Sequence, residues 1–167
     1  MSYIELDNLN SMDRSLTPMS HEERNTIVGV ISNLLVNSYF IWRVHMMFVD
    51  GTSVAPDGVM IWAREVIWVI PGGIILTIVM VILANILWAI FTGETKPSFL
   101  VDERDRGIQI NGMATTMVVT VLGFLASIAA LAYGISNFIA FNIVFFSLAL
   151  GSLSGDLSKL WLYRRSC

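Results

Sequence analysis

The chain has 167 residues, of which 55% are hydrophobic and only 14% are charged. Roughly a quarter of the residues are charged in an ordinary soluble domain, so this composition excludes a disordered chain and most soluble folds. The length corresponds to a single domain. Together with a mean hydropathy of +0.69, it predicts an all-α bundle of membrane-spanning helices.

The charge balance and the cysteine content exclude several kinds of partner and site. The net charge of -3 comes with no basic cluster that could neutralise phosphates, so we expect no nucleic-acid partner. The single cysteine, Cys167, excludes an intrachain disulfide and a multi-thiolate metal site. The sequence also has no glycine-rich phosphate loop and no paired zinc ligands. We therefore predict a protein that is not an enzyme and that holds no cofactor and no metal.

Three long segments without charged residues predict the helices. These segments comprise residues 25–42, 66–93 and 107–155. A spanning helix needs about 20 apolar residues, so the first two segments hold one helix each and the third holds two. We place the four helices at residues 25–48, 64–91, 106–132 and 138–162. A three-helix alternative stays open, because Asn33 and Asn37 lower the apolarity of the first segment.

Two local patterns refine this plan. The longest uncharged segment must reverse direction, and Tyr-Gly-Ile-Ser-Asn at residues 133–137 favours a tight turn. Pro71, followed by two glycines, predicts a kink in the second helix.

The domain layout follows from these elements. We expect residues 1–19 to form a flexible polar tail, and Ser20 with Glu23 to form a capping box that starts the first helix. Residues 20–167 then form one transmembrane domain, with hairpins at 20–93 and 98–167.

The distribution of lysine and arginine predicts the orientation in the membrane. Eight of the ten lie before the first helix, between the second and third helices, or near the end of the fourth. The opposite side holds only Arg43 and Arg64. Because positive charge accumulates in cytoplasmic loops, we expect both termini in the cytoplasm.

A weak internal repeat also appears in the sequence. Glu-Glu-Arg at residues 22–24 is echoed by Asp-Glu-Arg at residues 102–104, and each precedes a pair of apolar helices. This pattern favours two copies of a hairpin related by an axis along the membrane normal. The alternative is that acidic residues are favourable at any helix start.

The stretch Asp102-Glu103-Arg104-Asp105-Arg106 and the later Tyr163-Arg164-Arg165 carry a family resemblance. The chain resembles a family of small, mostly uncharacterised bacterial inner-membrane proteins over most of residues 21–167. It departs from the family pattern at Gly107 and Asn111, where bulkier or charged residues are common. The resemblance implies a four-helix protein of the inner membrane without an established activity, so it transfers no catalytic residue.

Charged residues at the starts of the first and third helices form the first candidate site. They are Glu22, Glu23, Arg24, Asp102, Glu103, Arg104, Asp105 and Arg106. Crossed pairs of Glu23 with Arg104 and of Glu103 with Arg24 would hold the two hairpins in register, although exposed pairs contribute only about 0–1 kcal/mol each. The alternative role for this charge cluster is a docking surface for a cytoplasmic protein.

Small and polar residues within the helices form two further candidate sites. The small residues that we expect at a close helix–helix contact are Gly123, Ser127, Ser147, Gly151 and Gly155. We favour packing of the fourth helix on the third, and an interface with another protomer is the alternative. The polar side chains that we expect to face inward include Asn33, Asn37, Asn111 and Thr115.

These observations predict a non-enzymatic membrane protein that lies in the lipid bilayer and associates with itself or with a membrane or regulatory protein. The alternative is a small oligomeric transporter or channel with a path lined by the polar helix faces. A transport path usually includes a charged side chain in mid-membrane, and the sequence places none there.

Overall fold

The computed structural model describes residues 21–92 and 103–165. Its four long helices are α1 (His21–Val49), α2 (Gly58–Thr92), α3 (Glu103–Ala132) and α4 (Asn137–Arg165). A short 3-10 helix (Thr52–Val54) lies between α1 and α2, and the described ranges contain no strand. The all-α prediction and the choice of four helices over three are therefore confirmed. The predicted tail, Ser20 and Asp102 lie outside the described residues.

All four helices are long and apolar enough to cross a membrane. They extend beyond most of the predicted limits, because a charged residue that bounds an uncharged segment does not end the helix. The helix α2 illustrates this, since it begins at Gly58 and runs for 35 residues. At 1.5 Å per residue its length is about 52 Å, well above the roughly 30 Å of a hydrocarbon core. Pro71 lies inside this continuous helix.

The turn between α3 and α4 lies at the predicted residues, and its hydrogen bonds explain why. Gly134 has a φ of 78°, which favours glycine. The backbone amides of Gly134 and Ile135 donate to the carbonyls of Leu131 and Ala130, both at 3.0 Å, and this arrangement ends α3 as a Schellman motif. Ser136 then accepts the amide of Ile139 at 3.5 Å and caps the start of α4.

The turn between α1 and α2 lies at the opposite end of the bundle. Gly51 has a φ of 80°, and the amide of Thr52 donates to Asp50 Oδ1 at 2.9 Å. Hydrogen bonds from the side chain and the backbone of Thr52 lower the pKa of Asp50. This loop thus has its own polar contacts outside the long helices.

The helices pack in the order α2, α1, α4, α3, and neighbouring helices are antiparallel. The most extensive contact joins α3 and α4, whereas α1 contacts both α2 and α4. The helices α2 and α3 make at most a marginal contact. A two-fold repeat of hairpins would pair α2 with α3 as closely as α1 with α4, so the packing is not symmetric in this way.

Aromatic side chains fill the space where α1, α2 and α4 meet. Phe40 is 0% exposed, and its ring centroid lies 4.0 Å from that of Phe145 and 6.2 Å from that of Trp62. The indole of Trp62 donates to Asn142 Oδ1 at 3.1 Å. Asn142 in turn donates to the carbonyl of Phe138 at 2.8 Å. This core holds α2 against α4, which it otherwise barely contacts.

Candidate functional site

The start of α1, the start of α3 and the end of α4 meet at one end of the bundle. Gln109 of α3 donates to Glu22 of α1 at 3.1 Å, and Arg104 donates to the backbone carbonyl of Tyr163 at 3.4 Å. The carboxylates of Glu22, Glu23 and Asp105 lie close enough to the buried Tyr163 to act on it electrostatically. The structure therefore gathers part of the predicted charge cluster, namely Glu22, Glu23, Arg104 and Asp105, around the end of α4.

The two arginines of the predicted crossed pairs have other partners. Arg24 donates to Asn85 of α2 at 2.6 Å and lies 4.9 Å from the ring centroid of Trp88. This cation–π contact joins α1 to α2 within the first hairpin, rather than joining the two hairpins through Glu103. Arg104 contacts the backbone of α4. At this end the hydrogen bond of Gln109 with Glu22 joins the two hairpins, and the sequence did not single out Gln109.

Part of the charge cluster faces outward. Glu103, Arg104 and Arg106 are exposed, as are Arg164 and Arg165 at the end of α4. Exposed charged side chains of this kind can receive a partner of opposite charge. This surface is compatible with the docking role that the sequence suggested.

The small residues of α4 pack inside the chain against α3. An added Cβ at Gly151 would lie 2.9 Å from the carbonyl oxygen of Thr116, and one at Gly155 would lie 2.7 Å from that of Gly112. An added Cβ at Gly123 of α3 would overlap Ser147. Such close backbone approach is possible only for small residues. The contact corresponds to the intramolecular packing that the sequence analysis favoured.

The hydroxyl of Ser127 extends the same contact towards the turn. It donates to the carbonyl of Ala140 at 2.9 Å, so a side chain of α3 binds the backbone of α4. All five predicted packing residues therefore lie at the α3–α4 contact.

The predicted polar residues divide into two separate groups. Asn37 donates to the side chain of Asn33 at 2.9 Å and to its backbone at 2.8 Å. Asn111 and Thr115 instead line an open groove of about 490 Å³ between α3 and α4, together with Ser158. Because α1 and α3 pack on different faces of α4, the structure does not bring the two groups together.

Asn111 differs from the prediction because its side chain is exposed rather than inward-facing. Its amide nitrogen donates to the carbonyl of Gly107 in the same helix at 3.0 Å. Thr115 is half-buried and donates to the carbonyl of Asn111 at 3.0 Å. Asn111 therefore places a polar amide on the outer surface of α3.

Two ion pairs lie within the helices. Lys159 donates to Asp156 at 2.9 Å, and an added Cβ at Gly29 of α1 would lie 3.6 Å from the second carboxylate oxygen of Asp156. Arg43 of α1 pairs with Glu65 of α2. The sequence analysis did not identify the pair of Arg43 with Glu65, although both residues lie at similar distances from the turn between α1 and α2. Charged residues of opposite sign at equal distances on the two sides of that turn are a signal that could have predicted this ion pair.

Within the described ranges, no group of three or more histidine, cysteine, aspartate or glutamate side chains could hold a metal ion. Comparison of the chain with protein-family models, curated proteins and solved structures finds no match. The family resemblance of the charged stretch before α3 therefore stays a prediction.

Proposed function

We propose that this chain is a non-enzymatic multi-pass membrane protein that acts through protein association, and that two copies bind each other along the outer face of α3. By the resemblance noted above, the membrane is the bacterial inner membrane. The charged end of the bundle is cytoplasmic, and the charge cluster there is available to a further protein partner.

The surface of α2 supports the membrane location. This helix carries large exposed aliphatic and aromatic side chains along most of its length, among them Ile67, Trp68, Ile75, Leu83 and Phe91. A soluble monomer rarely exposes an apolar patch of more than a few hundred Å². Lipid provides the apolar surroundings that such a helix needs.

The charge distribution and the helix directions support the orientation. The chain enters α1 and leaves α4 at the same end of the bundle, where Glu22 meets Gln109. Six of the ten lysine and arginine residues lie in the described parts of the helices at that end, namely Arg24, Arg104, Arg106, Lys159, Arg164 and Arg165. The positive-inside rule therefore assigns this end to the cytoplasm.

The exposed amide of Asn111 is the observation that carries the association. It belongs to a row of exposed residues with heptad spacing, namely Gly107, Asn111, Ala114, Val118, Val121 and Leu125. In lipid, a polar group with incomplete hydrogen bonding is costly, and a partner helix can supply the bonds that the contact of Asn111 with Gly107 leaves unmade. An amide both donates and accepts, so two Asn111 side chains related by a two-fold axis satisfy each other. A single asparagine in such a row also fixes the register of two helices.

The transport alternative has less support. A shared polar path would need Asn33 and Asn37 to face the same space as Asn111 and Thr115. The two groups lie on different sides of α4, and the groove at Asn111 opens to the outer surface.

Disulfide crosslinking in membranes tests the association. In a background with Cys167→Ser, we expect Val118→Cys to form dimers efficiently and Met117→Cys to form few. Val118 and Met117 are similarly exposed, at 60% and 62%, but they differ by about 100° around α3. Equal crosslinking of the two variants would contradict the proposed interface.

Replacement of Asn111 by leucine tests the role of the amide. Hydrogen bonds between membrane helices contribute about 1–2 kcal/mol in model peptides, so we expect Asn111→Leu to weaken dimerisation roughly tenfold. Energy transfer between labelled copies in detergent measures this change, and Met117→Leu serves as the control. An unchanged dissociation constant for Asn111→Leu would remove the amide from the proposal.

A further inference from the structure

A cleft of about 250 Å³ opens between α1 and α2 on the side of the turn that joins them. Val36, Val69 and Gly73 belong to its apolar lining, and Glu65 lies at one end. From Glu65 to Leu76 the cleft follows α2 for 11 residues, or about 16 Å. Its shape is that of a narrow apolar channel along two helices with a carboxylate at one end.

The glycines after Pro71 create this space. An added Cβ at Gly72 would meet no atom within 4 Å, whereas one at Gly73 would lie 3.3 Å from the methyl groups of Val36. Gly73 therefore allows α1 and α2 to approach, and Gly72 leaves the channel beside that contact open. The cleft is thus a product of two adjacent glycines with different surroundings.

The polar end of the cleft carries charges of both signs. Glu65 forms an ion pair with Arg43 of α1, and their side chains remain 24% and 32% exposed. Tyr39 and Trp68 lie at the rim and are exposed, and such aromatic side chains favour the headgroup level of a bilayer. This end of the bundle is opposite to the charged end assigned to the cytoplasm.

We propose that the cleft binds one phospholipid whose zwitterionic headgroup carries a primary ammonium, as in phosphatidylethanolamine. One acyl chain lies along the channel past Gly72, the ammonium group donates to Glu65, and the phosphate accepts from Arg43. The proposal rests on the membrane location proposed above and places this lipid in the outer leaflet.

Charge complementarity selects this headgroup over the other common ones. A headgroup with both signs matches a site with both signs, and hydrogen bonds between charged groups are the stronger ones. The quaternary ammonium of phosphatidylcholine has no N–H group to donate to Glu65. The net negative charge of phosphatidylglycerol matches Arg43 but is repelled by Glu65.

Lipid exchange with mixed vesicles tests the proposal. The full chain is reconstituted in vesicles with equal amounts of phosphatidylethanolamine, phosphatidylcholine and phosphatidylglycerol, and is then extracted in mild detergent. Mass spectrometry measures the lipids that stay bound. We expect about one phosphatidylethanolamine per chain, enriched several-fold over the other two lipids. Recovery of the three lipids in the proportions of the vesicle would overturn the proposal.

Two variants and a control assign the lipid to this cleft. Glu65→Gln is expected to abolish the preference for phosphatidylethanolamine over phosphatidylcholine, whereas Glu103→Gln at the other end of the bundle leaves it intact. Because Glu65→Gln also breaks the ion pair with Arg43, a second variant is needed. An added Cβ at Gly72 meets no atom within 4 Å, so Gly72→Leu places a side chain in the cleft, and it should reduce retention of all three lipids. Unaltered retention in Gly72→Leu would contradict the cleft as the site.

The membrane location is checked in the same preparation. A chain that does not float with the vesicles in a density gradient would contradict the proposed function as a whole. A chain that floats but shows no headgroup preference would contradict only the lipid site.

Discussion

Replacing Gly123 by alanine is expected to lower the free energy of unfolding by about 1–3 kcal/mol, the usual range for overpacking. The added Cβ would overlap Cβ of Ser147 and lie 2.6 Å from its hydroxyl oxygen. The backbones of α3 and α4 would have to move apart, and the close approaches at Gly151 and Gly155 would loosen with them. In lipid, the association of these helices depends on such packing, because there is no hydrophobic gain from pressing them together. Titration of the purified protein from mild detergent into a denaturing one measures the change.

The matched variants separate this contact from a general effect of alanine. Gly107→Ala in the same helix adds a Cβ with no atom within 4 Å, so we expect no loss of stability. Ser147→Gly removes the atoms that the new methyl group would meet, and its hydroxyl bonds only to Val144 within α4, at 2.7 Å. The double variant Gly123→Ala with Ser147→Gly should therefore recover most of the loss. Strictly additive effects of the two substitutions would contradict a direct contact.

The number and the approximate limits of the helices could be predicted because they depend on local composition. Long stretches without charge can cross a bilayer, and the 49 uncharged residues at 107–155 are too many for one crossing. The turn at residues 133–137 was predictable for the same reason, since Gly134 supplies the left-handed conformation that the turn requires.

The order of the helices could not be predicted from composition. Which faces meet depends on the rotation of each helix about its axis, and α2 is apolar on nearly all sides. The charged residues show the consequence. Arg24 was predicted to pair with Glu103, but α1 lies beside α2, so Arg24 contacts Asn85 and Trp88 instead. A prediction of side-chain partners needs the neighbouring helix first, and the sequence does not specify it.

The candidate sites divide in the same way, into those that local composition predicts and those that depend on which helix faces meet. The small residues at the α3–α4 contact were identifiable, because glycine and serine at four-residue spacing have few other uses in an apolar helix. The aromatic core around Phe40 was not, since phenylalanine occurs on lipid-facing and buried surfaces alike. Asn111 was identified as a polar residue at membrane depth, but its outward direction depends on which face of α3 meets α4.

Replacing Phe40 by alanine is expected to be among the most destabilising single substitutions in the helices. Its ring is 0% exposed, and it lies 4.0 Å from the ring of Phe145 and 5.8 Å from that of Phe146, measured between centroids. The cavity left behind would open where α1, α2 and α4 meet. In soluble proteins such a change costs about 3–5 kcal/mol. With the proposed membrane location, the unfolded helices are also surrounded by lipid and the transfer contribution is smaller, so we expect about 2–3 kcal/mol.

The comparison with Phe124→Ala tests whether the burial of Phe40 causes the destabilisation expected for Phe40→Ala. Phe124 of α3 is 52% exposed, and its truncation removes the same atoms without opening a cavity among three helices, so we expect little change in the free energy of unfolding. Phe40→Leu, which keeps most of the volume, should lose less than about 1.5 kcal/mol. The same detergent titration, followed by tryptophan fluorescence, ranks the three variants. If Phe40→Ala were no less stable than Phe124→Ala, the contact of α1 with α2 and α4 would not depend on this aromatic core.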